Sequence, residues 1–212
     1  PRSLSTSYLR ARANLFVIPD DLPIELTPFT FLLGHWSGSG VVSYPVQGKD
    51  PVEVEFFQEM QFLPLPSGKL EYQAISRQAD GSVISQEHGF WMLAKSTLDH
   101  EPGPGLLPGK AESTIQSREQ LEEFRNATGG FDIEAIITNS DAVSELYFGQ
   151  IKAARVDIAT DAVLRSPHSK EYSAGQRMYG LVEGALLWAW DMAALGKPLS
   201  SHASARLEKK ND

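Results

Sequence analysis

Gly34-His35-Trp36-Ser37-Gly38-Ser39-Gly40-Val41-Val42-Ser43-Tyr44 is the stretch whose reading decides the fold. Trp36, Gly38, Gly40, Val42 and Tyr44 fall on one side of it; His35, Ser37, Ser39 and Ser43 fall on the other, with Val41 the one apolar exception. Alternation with period two places successive side chains on opposite faces of a strand, so this is a strand with one face buried. A tryptophan on the inner face can plug one end of a barrel. Glycines beyond it permit the sharp bending and close backbone approach of barrel corners.

The same pattern continues on the C-terminal side. Val52 to Leu63 is rich in Val and Phe, with Pro64 and Pro66 as its stop. Leu70 to Arg77 and Val83 to Ala94 flank Asp80-Gly81, a pair suited to a type I′ hairpin turn. Ala111 to Gln116, Phe131 to Thr138 and Glu145 to Ile158 read as strands, with turns at Asn126 to Gly130 and Asn139 to Asp141. Lys170 to Leu181 and Ala185 to Ala194 form a hairpin around Glu183-Gly184, and Ser201 to Glu208 is the last strand. Glu101-Pro102-Gly103-Pro104-Gly105 is an irregular loop. About ten strands at a spacing of roughly 8–12 residues predict an all-β, closed antiparallel barrel. Residues 29–210 form that single domain, and residues 1–28 are an N-terminal extension. The extension has helical character near Leu9 to Phe16 and a short helix or turn within Leu22 to Leu33.

Composition narrows the function. The chain has 212 residues, 42% of them hydrophobic, and a formal net charge of −8. Its 19 Lys and Arg residues form no basic run, which argues against nucleic acid and anionic membranes as partners. With no cysteine, disulfides, thiolate metal sites and cysteine nucleophiles are excluded, and a cytoplasmic location is expected. No apolar run approaches the ~20 residues of a membrane span. Pro1 to Asn14 has no apolar segment of the signal-peptide kind, though a first residue other than Met leaves room for a removed targeting segment. Serine-hydrolase elbows, P-loops and dinucleotide-binding glycine patterns are absent from the sequence.

Two features point to a ligand. Leu186, Trp188, Trp190 and Met192 share one face of a strand, a bulky apolar wall that serves equally as plain barrel core. His202 follows a Gly-Lys-Pro turn at the start of the final strand, where it can sit at the rim; alone, such a histidine is more often a surface residue. By parity His202, Ser204 and Arg206 share a face that does not look buried. His35 alternates with serines and is expected to face outward, His88 suits a bonded strand position, and His100 and His168 lie in loops.

A lone G-x-W is general to lipocalin-like barrels, but the full G-x-W-x-G-x-G of Gly34 to Gly40 resembles the signature of the nitrobindins, haem-binding barrels similar in shape to fatty-acid-binding proteins. Tyr44-Pro45, Glu87-His88-Gly89-Phe90, His168-Ser169-Lys170-Glu171, Arg177, Asp191-Met192 and Gly196 to His202 extend the likeness. The resemblance covers about residues 29–99 and 130–210, leaving out the extension and the stretch near 100–121. It implies one haem b per chain, with His202 as the axial iron ligand and Lys170 near a propionate. It also implies nitric oxide binding and isomerisation of peroxynitrite to nitrate, with no catalytic group beyond the haem iron. The expected cofactor-site residues are His202, Lys170, Met192, Trp190, Gly34, Trp36, Gly38 and Gly40, with Arg177 a further source of charge for propionates. The alternative is a non-catalytic carrier of a fatty acid or other lipid, its carboxylate paired by Arg177 or Lys170. A haem-free relative with a filled cavity is a third reading. A homodimer is compatible with the sequence, which specifies no partner face.

Overall fold

The computed structural model describes residues 21–44, 51–94 and 115–210. Among these, ten antiparallel strands close into one barrel: β1 (Gly34–Tyr44), β2 (Val52–Leu65), β3 (Lys69–Arg77), β4 (Val83–Leu93), β5 (Phe131–Asn139), β6 (Val143–Lys152), β7 (Arg155–Arg165), β8 (Ala174–Val182), β9 (Ala185–Ala193) and β10 (Ser200–Lys209). Each strand pairs with its neighbours in sequence. Closure comes from β1, which pairs with β2 from Gly34↔Phe62 to Tyr44↔Val52 and with β10 from Trp36↔Lys209 to Val42↔Ala203. Closure leaves no edge strand with unpaired backbone groups.

Inward positions alternate as the sequence predicts. On β3, Leu70, Tyr72, Ala74 and Ser76 are buried between more exposed residues. One end of the barrel is stopped by the 3-10 helix Ile24–Phe29, whose Leu26 and Phe29 are fully buried. That helix packs against β3, β4, β6 and the short helix α1 (Arg118–Glu122). Trp36 is buried at this end, and its Nε1 donates to the Leu32 carbonyl at 2.7 Å, tying the first strand to the plug. Residues 24–28, read as the end of an extension, thus pack as part of the barrel.

The glycines of β1 act by close approach. Its register with β2 is unbroken. A Cβ on Gly38 would lie 2.1 Å from the Arg206 carbonyl oxygen, and one on Gly40 would lie 2.4 Å from the Ser204 oxygen. The β1–β10 seam closes because no side chain intervenes.

Several elements differ from the sequence reading. Glu145 to Ile158 is two strands, β6 and β7, joined at Ala153 with φ +50°. A turn of Lys-Ala-Ala-Arg carries no Gly, Asn or Pro to announce it. Ile115 and Gln116 are not in a strand; α1 follows them, capped by Ser117, whose side chain accepts from the Gln120 amide. Pro64 does not end β2, since it pairs opposite Leu70 at the end of the hairpin. Around Asp80-Gly81 only Gly81 has positive φ, and Gln78 closes on both Gly81 and Ser82, so this is a three-residue loop with a glycine bulge rather than a type I′ turn. At Glu183-Gly184 both residues have positive φ, as type I′ requires. The expected helix near Leu9 to Phe16, the loop Glu101 to Gly105, His100 and most of Ala111 to Gln116 lie outside the described residues. Among the described residues no helix is long and apolar enough to cross a membrane.

Replacing Gly38 by Val places a side chain against the β10 backbone. Overpacking of this kind costs about 1–3 kcal/mol. The urea midpoint is expected to fall accordingly, while Ser39→Val on the exposed face leaves it nearly unchanged; equal midpoints would refute the close-approach account.

Candidate functional site

Opposite the plug, the barrel contains a cavity of about 610 Å³. That size suits a small-molecule or cofactor site. Its walls include Trp188, Trp190 and Met192 from β9, His202 and Ala203 from β10, and Lys170 from the segment between β7 and β8. A groove of about 750 Å³ on the outer wall, beside Phe148, Asp157 and Met178, is lined largely by outward-facing strand residues and carries no histidine.

His202 reaches the cavity through an irregularity. The register of β10 with β9 shifts between Ser201 and Ala203. Beyond it Ala203, Ala205 and Leu207 face inward, and Ser204 and Arg206 face outward. A bulge re-aims a side chain that strict alternation would send out, so His202 and Ala203 both line the cavity. Parity grouped His202 with Ser204 and Arg206; the bulge separates them.

The ring is held on two sides. Its Nδ1 lies 2.9 Å from the Ser43 carbonyl oxygen. A carbonyl only accepts, so Nδ1 carries the proton and the Nε2 lone pair is the ring's metal donor. Trp190 meets the ring edge-on, with centroids 5.1 Å apart and planes at 86°. Burial lowers the His202 pKa, the Ser43 bond opposes this, and the positive charges of Arg177 and Lys170 lower it further. The imidazole is therefore neutral at pH 7, the form that binds a metal. This donor set fits haem iron: one neutral imidazole with its tautomer fixed by a backbone carbonyl, beside an apolar aromatic wall.

The cavity floor is ionic. Arg177 is 3% exposed. Its Nη1 and Nη2 donate to Glu87 at 2.9 and 2.8 Å, its Nη2 also to Glu145 at 3.1 Å, and its Nε to the Tyr147 hydroxyl at 2.9 Å. Tyr72 donates to Glu87 at 2.7 Å, while Tyr147 and Tyr172 both donate to Glu145. The guanidinium also lies 4.2 Å from the centre of the Trp190 ring. Burial pushes the Glu87 carboxyl up, but the charge and hydrogen bonds of Arg177 outweigh it and hold the pKa below the usual range. Burial drives the Tyr72, Tyr147 and Tyr172 hydroxyls well up, so all three remain protonated donors.

The structure brings together His202, Lys170, Trp190 and Met192 around one cavity. It places Gly34, Trp36, Gly38 and Gly40 elsewhere, with Trp36 at the plugged end and Gly38 and Gly40 along the seam. Arg177, expected at the mouth to meet propionates, is instead paired with internal carboxylates. His88 is outside, 3.0 Å from Glu71 and 53% exposed, and His168 is exposed in a turn. His35 lies in β1 next to Trp36 and does not line the cavity. Sequence reasoning missed Glu87, Glu145 and Tyr172 as a floor. The available signal was a glutamate at the inward phase of β6, two residues before an inward tyrosine.

Arg177→Met is expected to cost about 3–5 kcal/mol, because it strands two buried carboxylates. The pH dependence fixes the cause. Wild-type stability from Glu87 is present above the unfolded carboxylate pKa and lost as pH falls through the lower folded value. In the variant the Tyr72 hydrogen bond to Glu87 remains but the charge and hydrogen bonds of Arg177 are gone, so burial raises the Glu87 pKa and the deficit relative to wild type narrows as pH falls from 7 to 4. Urea unfolding across that range checks this; a deficit independent of pH contradicts it.

Comparison with known proteins agrees with this geometry. Residues 25–209 match the family described as THAP4-like, heme-binding beta-barrel domain. A protein named peroxynitrite isomerase from Clavibacter michiganensis subsp. michiganensis is 47% identical over 193 residues, spanning 90% of this chain and 96% of its own. One of the same name from Leifsonia xyli subsp. xyli is 44% identical over 194 residues, spanning 91% and 98%. The crystal structure of Rv2717c from M. tuberculosis superposes with a TM-score of 0.66 at 21% identity, covering 90% of this chain and 99% of that one, and shows the same fold. The chain belongs to the family of THAP4-like, heme-binding β-barrel domains.

Proposed function

We propose that the cavity holds one haem b per chain with His202 Nε2 as the axial ligand, and that the loaded protein binds nitric oxide and isomerises peroxynitrite to nitrate. The observation that carries this reading is the fixed tautomer of His202, with Nδ1 donating to Ser43 and the ring lining an apolar cavity. The relatives named peroxynitrite isomerase supply the reaction.

Held by His202, haem iron would supply the Lewis acidity toward the peroxo group that isomerisation of peroxynitrite requires. The chain's own residues do the rest. Ser43 and Trp190 fix the imidazole plane. Trp188, Trp190 and Met192 offer a wall for a flat macrocycle and exclude water. Lys170, exposed at the rim, carries the positive charge suited to a propionate or an arriving anion. The isomerisation needs no net proton transfer. The floor suits that, since its tyrosines hold their protons and its arginine is already paired.

The fatty-acid alternative has less support. Of the two cations that could pair a carboxylate, Arg177 is bonded through both terminal nitrogens to Glu87, which leaves Lys170, exposed at the rim.

Haemin titration of the apo-protein, followed by absorption, is expected to give a saturable Soret shift at one haem per chain. His202→Ala is expected to lose the histidine-ligated spectrum. Because the His202 pKa is depressed, wild-type binding persists below the ordinary imidazole pKa of 6.5 and weakens only at lower pH. An unchanged spectrum in the variant refutes the ligand assignment; no shift in wild type, with lipid bound instead, establishes the carrier reading.

A further inference from the structure

A second polar device stands in the cavity wall, separate from the ionic floor. Trp188, Gln58 and Ser76 come from β9, β2 and β3, and are 8%, 4% and 8% exposed. The Trp188 Nε1 donates to Gln58 Oε1 at 2.7 Å, and Gln58 Nε2 donates to Ser76 Oγ at 3.0 Å. All three residues line the cavity.

The direction of this chain is fixed by chemistry. An indole N–H can only donate, so the amide must turn its oxygen toward Trp188. Its nitrogen then faces Ser76 and can only donate in turn. The Ser76 oxygen is thereby an acceptor, and its own proton is left to donate. Both hydrogen bonds of the chain hold the amide and the Ser76 oxygen in place and leave the hydroxyl proton as the donor not used by them. The same lining carries the apolar Val42, Phe56, Ile84 and Ala203 and the polar Ser85, which pairs opposite Ser76.

We infer that Ser76 is a ligand-facing hydrogen-bond donor that selects for oxygen- or fluorine-bearing anions held at the haem, peroxynitrite among them. This rests on the haem reading above. An apolar wall alone would not distinguish such an anion from an uncharged diatomic ligand. A buried hydroxyl donor in that wall favours the anion, because a hydrogen bond to charge is stronger than one to a neutral group and a buried site makes it stronger still. Ser76 is in this sense a specificity-determining residue, and Gln58 positions it. Periodicity does not announce this role: a serine at the inward phase of a strand reads as a small filler.

The test uses haem-loaded protein and two probes, fluoride on the ferric form and carbon monoxide on the ferrous form. Ser76→Ala is expected to weaken fluoride about tenfold and to move the C–O stretch to higher wavenumber, while the Soret titration still saturates. Ser76→Thr, which keeps the hydroxyl, is expected to restore both. Gln58→Met, which keeps the hydroxyl but frees its direction, is expected to fall between Ser76→Ala and wild type. Equal fluoride affinity and an unmoved C–O stretch in loaded Ser76→Ala overturn the inference and leave the haem reading standing. No Soret shift in wild type overturns both.

Discussion

The guanidinium of Arg177 is the group on which the rest of the barrel interior depends. It projects from β8 and is bonded to Glu87 of β4 and to Glu145 and Tyr147 of β6, while Tyr72 of β3 completes the Glu87 shell. These strands lie on different sides of the ring, so the cluster ties the walls together across the interior. A buried charge is tolerable only when nearly every donor and acceptor around it is used, and the three tyrosines supply the remaining donors. Tyr172 extends the same cluster into the segment between β7 and β8.

That crossing of charges divides the barrel. Toward the plug, Phe62, Trp91, Tyr72 and Tyr179 pack ring against ring, at centroid distances from 5.1 to 6.5 Å. Tyr72 and Tyr179 of this cluster also border the cavity. Toward the mouth the interior is open, and Trp190 lies between the two regions. One face meets the guanidinium and its environs meet the His202 ring. The electrostatics of the floor and the orientation of the metal donor are therefore linked through one indole.

The fold was legible because closed barrels impose their period on the sequence. Trp36 and Val42 are buried and Ser39 and Val41 exposed, as alternation required. Turns were legible where backbone chemistry demanded a particular residue, as at Glu183-Gly184, and illegible at Ala153-Ala154, where tertiary pairing imposes the reversal on ordinary residues. The candidate site was legible in part. Trp188, Trp190 and Met192 lie on an uninterrupted strand, so parity alone turned them inward. His202 could be singled out only by family likeness, since the bulge that aims it breaks the rule used to read its strand. Arg177 was recognised as a charge but given the wrong partners, because Glu87 lies 90 residues away in the chain.

By itself the sequence determined the class of fold, the inward face of most strands, the exclusion of thiol chemistry and the family. These follow from local periodicity, residue type and motif, which need no knowledge of what lies across the barrel. Only the tertiary structure decided which polar groups meet: Arg177 with Glu87 and Glu145, His202 Nδ1 with Ser43, and Trp188 with Gln58 and Ser76. The reason is physical. A hydrogen bond is a short-range, directional contact, and in a closed barrel its partners come from strands that the chain brings together only when the last strand pairs with the first.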